Sequence, residues 1–339
     1  MRELVITRHG PPEVLRVEER PDPEPGPGEV RVRVRAAGIN FADLLARVGF
    51  YEEAPKPPCV VGYEVAGEID SVGEGVTSFE PGERVVAGTR FGGQAELAVT
   101  AEGAVVPLPE GWSFEQGAAL PVNYATAYAA LMRFGALREG ERVLIQAAAG
   151  GVGTAAVQIA KAAGAEVFGT ASARKHDAIR ALGVDHPIDY RSTDFVNEVR
   201  RIAGEEKPLD LVLDGIGGKS FRQGFSLLRA GGRLVCIGAS AIQPGEERNR
   251  LKALRVLAQM PWFHPVSLMR QSKAVIGLNM LTLWDEHGSL ADYVDPLTMW
   301  AQDGRIAPVV AESFPLERGA DAHRAMHEGR NIGKVVLTP

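Results

Sequence analysis

The stretch Arg142–Gly164, RVLIQAAAGGVGTAAVQIAKAAG, leaves this chain few ways to fold. Val143 to Gln146 read as the end of a buried strand, and a turn of small residues, Ala147 to Gly153, follows. Val152, Ala155, Ala156, Ile159 and Ala163 then recur at helical spacing until Gly164, which suits a helix stop. A strand running through a glycine turn into a helix is the context that the dinucleotide fingerprint GxGxxG requires. In that register Ala148 holds the first position, Gly150 the second and Gly153 the third. Gly150 lets the backbone approach a pyrophosphate, and Gly153 lets the helix pack tightly on the strand. The amides of Ala149, Gly150, Gly151, Val152 and Gly153 surround the helix start, where unpaired donors and the helix dipole favour an anion. A glycine triplet alone serves any tight strand–helix turn; the flanking pattern makes this one a nucleotide site.

Further strands are expected at Glu166–Thr170, 186–190, 209–214 and 232–238, with helices near 174–182, 193–203 and 217–229. Alternating strands and helices predict an α/β domain with a doubly wound parallel sheet and its ligand at the carboxyl ends of the strands. Those ends carry Thr170, Tyr190, Asp214 and Gly238. An NAD site wants an acid about 20 residues past the glycines to hold the adenosine ribose. Here the second strand ends Gly169-Thr170-Ala171-Ser172, followed by Arg174 and Lys175. Hydroxyls and two cations in place of a carboxylate suit a 2′-phosphate, so the expected cofactor is NADP (NADPH). The alternative is that Arg174 and Lys175 are solvated first-turn residues.

With 339 residues the chain is long enough for two domains. A net charge of −6 argues against nucleic acid as the main partner. No 18-residue apolar run predicts a transmembrane helix, and the opening MRELVITRHG lacks the apolar core of a signal peptide. Cys59 and Cys236 form neither a metal spacing nor a disulfide framework, and Cys236 reads as a small buried hydrophobe. A cytoplasmic location is expected. Residues 4–6 and 14–17 read as a hairpin, Val30 to Ala36 as a half-exposed strand, and 41–47 as a helix. Strands near 84–87, 94–99 and 104–107 complete a mostly β domain, and Phe114 to Phe134 is helical. The segment 245–270 is basic and amphipathic, broken by Pro261 and Pro265. It reads as a surface helix and loop covering the sheet, a cleft wall, or a peripheral membrane contact.

The proline-rich opening, GINFADLLARVGFY, the glycine-rich strand VGYEVAGEIDSVGEGV, AAAGGVG and the closing NIGKVVL resemble the medium-chain dehydrogenase/reductase superfamily along nearly the whole chain. Within it the chain is similar to the zinc-independent quinone oxidoreductases, and GTASARKHDAIRALGVDHPIDY to their vesicle amine transport protein-like branch. The resemblance implies a GroES-like, mostly β catalytic domain over 1–122 and 295–339 and a Rossmann nucleotide-binding domain over 123–294. At the places of the relatives' zinc ligands stand Asn40, Tyr63 and Val122, and an amide, a phenol and an alkyl group do not bind catalytic zinc. No metal is therefore expected, and Asp43 and Glu64 are read as structural acids paired to donors. The resemblance places Asn40 beside the nicotinamide and substrate, Tyr51 at the cleft wall and Thr126 near the carboxamide. Ser172, Lys175 and Tyr190 would surround the adenosine end, with Asn331 and Lys334 near the phosphates or the nicotinamide. Asn40 could polarise a substrate oxygen or only cap a helix; Tyr51 could stack on a flat substrate, donate a proton, or only pack. The implied activity is NADPH-dependent reduction of quinones or α,β-unsaturated carbonyl compounds. The alternatives are an enoyl-thioester reductase and a non-catalytic NADPH-binding adapter or lipid-handling protein. The apolar segment 273–280 reads as a sixth, edge strand that pairs with its twin in a homodimer.

Overall fold

A computed structural model describes residues 1–242 and 245–339. The chain forms two compact units, one of residues 1–125, 245–248 and 280–339, the other of 126–244 and 249–279. In chain order the first stretch contains β1 (Arg2–Ile6), β2 (Leu15–Glu19), β3 (Glu29–Ile39), α1 (Phe41–Val48), β4 (Cys59–Val60), β5 (Glu64–Val72), β6 (Arg84–Gly88), β7 (Leu97–Ala101) and β8 (Val105–Pro107). Two helices follow, α2 (Phe114–Gly117) and α3 (Pro121–Tyr128). The second unit then runs β9 (Arg142–Ile145), α4 (Gly151–Ala162), β10 (Glu166–Ala171), α5 (His176–Ala181), β11 (His186–Asp189), α6 (Phe195–Ala203), β12 (Leu209–Asp214), α7 (Lys219–Leu227) and β13 (Leu228–Cys236). It closes with α8 (Arg250–Gln259), α9 (Pro265–Gln271) and β14 (Ala274–Gly277). The chain returns to the first unit as α10 (Met280–His287), α11 (Ala291–Gln302), β15 (Val310–Pro315), α12 (Gly319–His327) and β16 (Lys334–Thr338).

The first unit is built on β3. Val30, Val32, Val34 and Ala36 point into the core, while Arg31 and Arg33 turn outward and share the Asp70 carboxylate of β5. This period-2 pattern lets one strand pair with β5, β7 and β16, in a sheet ordered β15-β16-β3-β5-β6-β8 with β7 on β3. The C-terminal strand β16 thereby lies antiparallel beside β3, with Val335 opposite Ile39. That register places Lys334 next to the turn leading into α1.

In the second unit six strands run in the order β11-β10-β9-β12-β13-β14, and every pair is parallel. Chain order reverses between β9 and β12, the topological switch point beside which such sheets bind ligands. Leu144, Phe168, Leu209, Val212 and Leu234 fill the core, and Cys236 packs on it only partly buried. Strand β14 pairs with β13 alone and forms an edge of the sheet.

Several expectations need correction. The fifth strand starts at Leu228 rather than 232, because Leu228 pairs with Leu209 before a register shift. The strand expected over 94–99 begins at Leu97, and Ala95 makes only an isolated bridge to Glu3. The helix expected over 114–134 is two helices and a π-helical stretch, because Pro121 opens a new one. Return to the first unit comes at Met280 rather than 295. There the Trp284 ring covers Gly88, where a Cβ would come within 2.5 Å of it, and Arg90 makes a bidentate pair with Asp285 at 2.6 and 2.9 Å. The reading of 245–270 as cover for the sheet does not hold for α8, which buries only Ala253 and leaves Leu251 80% exposed. Trp262, between the two helices, is fully exposed.

Candidate functional site

The nucleotide end of the second unit is shaped by the turn after β9. Ala147 takes a left-handed backbone, φ 52°, and its carbonyl accepts from the Gly150 amide at 2.8 Å. Gly150 caps α4, and the first helical bond runs from the Thr154 amide to the Gly150 carbonyl at 2.9 Å. The amides of Gly151, Val152 and Gly153 thus sit in the first turn, ahead of that bond, where helix donors lack helical acceptors. A Cβ on Gly153 would stand 2.2 Å from the Ala147 carbonyl oxygen, so only glycine lets the helix approach the strand this closely. Beside the turn, Gln146 is buried; its Oε1 accepts from the Thr170 hydroxyl at 2.6 Å, and its Nε2 has no hydrogen-bond partner. The Thr170 hydroxyl in turn accepts from the Ala147 amide at 3.1 Å. First-turn amides, a glycine cradle and an orphaned amide donor fit the phosphate-bearing part of a dinucleotide. Gln146 went unnoticed in the sequence, although a lone polar residue closing an apolar strand was the available signal.

The end of β10 is cationic. Ser172 and Lys175 are both buried, at 6% and 8% exposure, on the short turn before α5. Burial, with Arg174 and Arg191 as neighbouring charges, pushes the Lys175 ammonium down to about 8. Both of those charges are of its own sign. Tyr190 stands half exposed at the end of β11, one residue past the Ala171–Asp189 pair, with Arg191 over its ring at 5.9 Å. Ser172, Lys175 and Tyr190 therefore do gather at one end of two adjacent strands. Asp214 plays a different part. Its buried carboxylate accepts from the Ile216 and Gly217 amides at 2.7 and 3.1 Å and from the Ser220 hydroxyl at 2.5 Å, which closes the turn after β12. Burial pushes this carboxyl above its ordinary value against the pull of those donors. Gly238 packs on that same turn, where a Cβ would stand 3.4 Å from the Gly215 carbonyl oxygen. Thr126 is buried on α3.

In the first unit a second cluster gathers around Glu64, which is wholly buried at the start of β5. Its Oε2 accepts from the Val122 amide at 2.7 Å and its Oε1 from Asn40 Nδ2 at 2.9 Å. The Lys334 ammonium pairs with the same Oε1 and donates to Asn40 Oδ1 at 2.6 Å. Lys334 is thus engaged here with only 2% of its side chain exposed, beside Asn40, the residue that the resemblance sets at the nicotinamide. Asn331, which the resemblance groups with Lys334, donates from Nδ2 to the Gly333 carbonyl at 2.7 Å. Asn40 does stand at the N-terminus of α1, and Asp43 reaches back to its backbone amide at 2.7 Å. The second oxygen of Asp43 has no partner. Burial, with Glu64 nearby, pushes Asp43 up to about 7 against the pull of the Asn40 amide and Lys334.

Tyr51 and Tyr63 meet edge to face, 6.4 Å between centroids, and Phe91 lies 5.2 Å from Tyr63. Burial pushes the Tyr51 phenol up to about 12 and the Tyr63 phenol further. Both are protonated at neutral pH, so each hydroxyl can donate. Tyr51 is the less buried of the two.

Comparison with known proteins gives a consistent picture. Residues 26–110 match the model for an alcohol dehydrogenase GroES-like domain and 182–337 the model for a zinc-binding dehydrogenase. The human synaptic vesicle membrane protein VAT-1 homolog is 39% identical over all of this chain and 86% of its own length. The zebrafish (Danio rerio) homolog is 42% identical over 89% of the chain, which spans 62% of that protein. Among solved structures, the human VAT-1 homolog-like protein superposes over 100% of this chain and 98% of its own, at TM-score 0.86 and 33% identity. The Escherichia coli quinone oxidoreductase complexed with NADPH covers all of both chains at TM-score 0.86 and 29% identity.

Zinc, which one of the two family models names, does not suit the donors in the first unit. Glu64 already holds the ammonium of Lys334, and Asn40, Tyr63 and Val122 bring an amide, a phenol and an alkyl group. Among the described residues no three histidine, cysteine, aspartate or glutamate side chains are grouped to hold a metal ion.

Proposed function

The chain belongs to the medium-chain dehydrogenase/reductase superfamily, together with the VAT-1 homologues and in keeping with its zinc-independent quinone oxidoreductase branch, and from that premise we propose that it is an NADPH-dependent reductase of quinones or α,β-unsaturated carbonyl compounds. The observation that carries this reading is the nucleotide end of the second unit: a glycine turn only Gly153 can make, leading to a strand end where buried Lys175 stands among the cations Arg174 and Arg191. The quinone oxidoreductase it resembles was solved with NADPH, which supports the same choice of cofactor.

NADPH, when bound, supplies the hydride. The first-turn amides and Gln146 Nε2 would bind its phosphates, and Ser172, Lys175 and Tyr190 would hold its adenosine end, with Lys175 the cation for a 2′-phosphate. Thr126 serves the carboxamide. Asn40 donates a hydrogen bond to the substrate oxygen on which charge develops, the role that a Lewis acid would otherwise fill. Tyr51 walls the substrate and, protonated at neutral pH, can deliver the proton that accompanies the hydride. The protein works as a homodimer through the β14 edge, whose unpaired side would otherwise be an aggregation hazard. The exposed Leu251, Trp262 and Met269, with Arg250, Lys252 and Arg255 on the same segment, make peripheral contact with anionic membranes a secondary property.

An enoyl-thioester substrate is the second reading. It is supported by the CurK enoyl reductase, which matches 99% of this chain at TM-score 0.86 and 28% identity. The test is NADPH oxidation by purified protein against quinones, simple enones and enoyl thioesters. Turnover with quinones or enones, and little with NADH, upholds the proposal; turnover confined to thioesters moves it to the second reading. Tight NADPH binding with no acceptor reduced would leave a cofactor-binding adapter.

A further inference from the structure

Asn40 is held between two opposite charges, and this fixes more than its position. Its carbonyl oxygen faces the Lys334 ammonium at 2.6 Å and its amide nitrogen faces Glu64 at 2.9 Å. Turning the amide over would set N–H groups against an ammonium and a carbonyl against a carboxylate, so only one of the two orientations survives. The glycine above the pair leaves no slack. A Cβ on Gly38 would lie 2.6 Å from each of Glu64 Oε1, Lys334 Cε and the Ala118 carbonyl. The third tie on Glu64, the Val122 amide at 2.7 Å, anchors the carboxylate from the far side. One N–H of the Asn40 amide is consumed by Glu64, and one remains.

We infer that Lys334 and Glu64 are positioning residues that lock Asn40 as a hydrogen-bond donor, so that the amide meets a ligand with N–H and not with its carbonyl. This deepens the proposed reductase reading and rests on it for the identity of the ligand. The lock selects ligands that bring an acceptor oxygen, such as the carbonyl of a quinone or enone. It also sets the ammonium of Lys334 against the amide oxygen, which polarises the remaining N–H toward a developing oxyanion. Neither Lys334 nor Glu64 need touch the substrate.

The experiment compares wild-type protein with Lys334→Arg, Lys334→Met and the double variant Lys334→Met/Glu64→Gln, which removes the lock without stranding a buried charge. Kinetics with an enone that wild-type protein reduces are paired with neutron diffraction from a deuterated wild-type crystal. The double variant should lose about 10²-fold in kcat, with NADPH affinity within about threefold of wild type, and Lys334→Arg should stay within about fivefold. Deuterons should appear between Asn40 Nδ2 and Glu64. An inverted amide in the neutron map overturns the inference. So does a folded double variant with wild-type kcat, or a loss in Lys334→Arg as large as in Lys334→Met. If wild-type protein reduces no carbonyl acceptor the reductase reading fails by itself, and the neutron map still decides the lock.

Discussion

Replacing Lys175 with methionine should stabilise the protein and weaken the proposed binding of NADPH. The ammonium is held at about 8 against an ordinary 10.5, by burial first and then by Arg174 and Arg191. The native state therefore releases this proton before the unfolded chain does, and the wild type gains stability as pH rises from about 8 toward 10.5. Below that window the buried charge destabilises the fold by roughly 3.5 kcal/mol at most, since each tenfold change in proton affinity is worth about 1.4 kcal/mol, and by about 1–3 kcal/mol once residual solvation is allowed for. Lys175→Met removes the deficit, so at pH 7 the variant should be more stable by that amount, with the difference shrinking at pH 10. NADPH affinity should fall by about 10- to 100-fold, as for loss of a charge-assisted bond to the 2′-phosphate, while NADH affinity stays put. Urea unfolding at both pH values and fluorescence titration with both cofactors measure this. A variant less stable at pH 7, or one that loses NADH and NADPH equally, refutes the reasoning.

Asp43, raised to about 7, gives the opposite slope: wild-type stability should fall as pH climbs from about 4 through 7. Asp43→Asn keeps an acceptor for the Asn40 amide, and should flatten the dependence and gain about 1–3 kcal/mol at pH 8; parallel urea curves at pH 5 and 8 would count against it. Gly153→Ala drives a Cβ to 2.2 Å from the Ala147 carbonyl. It should cost about 1–3 kcal/mol and weaken dinucleotide binding, whereas Gly103→Ala, in open space, should change neither. Light scattering at micromolar concentration should give twice the 36.3 kDa chain mass; a proline at Val275 on the β14 edge should lower it to monomer, and a monomeric wild type rules out edge pairing.

What the sequence made legible was local. The second unit could be read strand by strand because its buried parallel strands are short apolar runs and its turns are marked by glycine. The turn at Ala147–Gly153 came out in register, and the helix after it starts at Gly151, inside the fingerprint. What stayed hidden depends on partners far along the chain. Lys334 meets Glu64 across 270 residues, and no periodicity announces that pairing. The return at Met280 rests on Trp284 meeting Gly88 and Asp285 meeting Arg90, contacts between segments about which local patterns say nothing. The start of β13 at Leu228 lay hidden in the segment 217–229 that reads as helix, and Arg229 to Gly232 after it carry the register shift. In α8 the apolar residues imply a buried face, yet Leu251 and Leu254 point to solvent; amphipathic spacing tells which residues share a face and not what covers it.

The central claim is hydride transfer from NADPH to an electron-poor carbon or oxygen without a metal. Its most direct test is a single turnover with NADPH deuterated at the nicotinamide C4 position and an α,β-unsaturated ketone, followed by mass spectrometry and NMR of the product, in protein dialysed against a chelator. The expected product is a saturated ketone carrying one deuterium at the β-carbon and one solvent-derived hydrogen at the α-carbon, formed at an undiminished rate after chelation. Recovery of the enone unchanged across enones and quinones alike, or a rate restored only by added zinc, would contradict it.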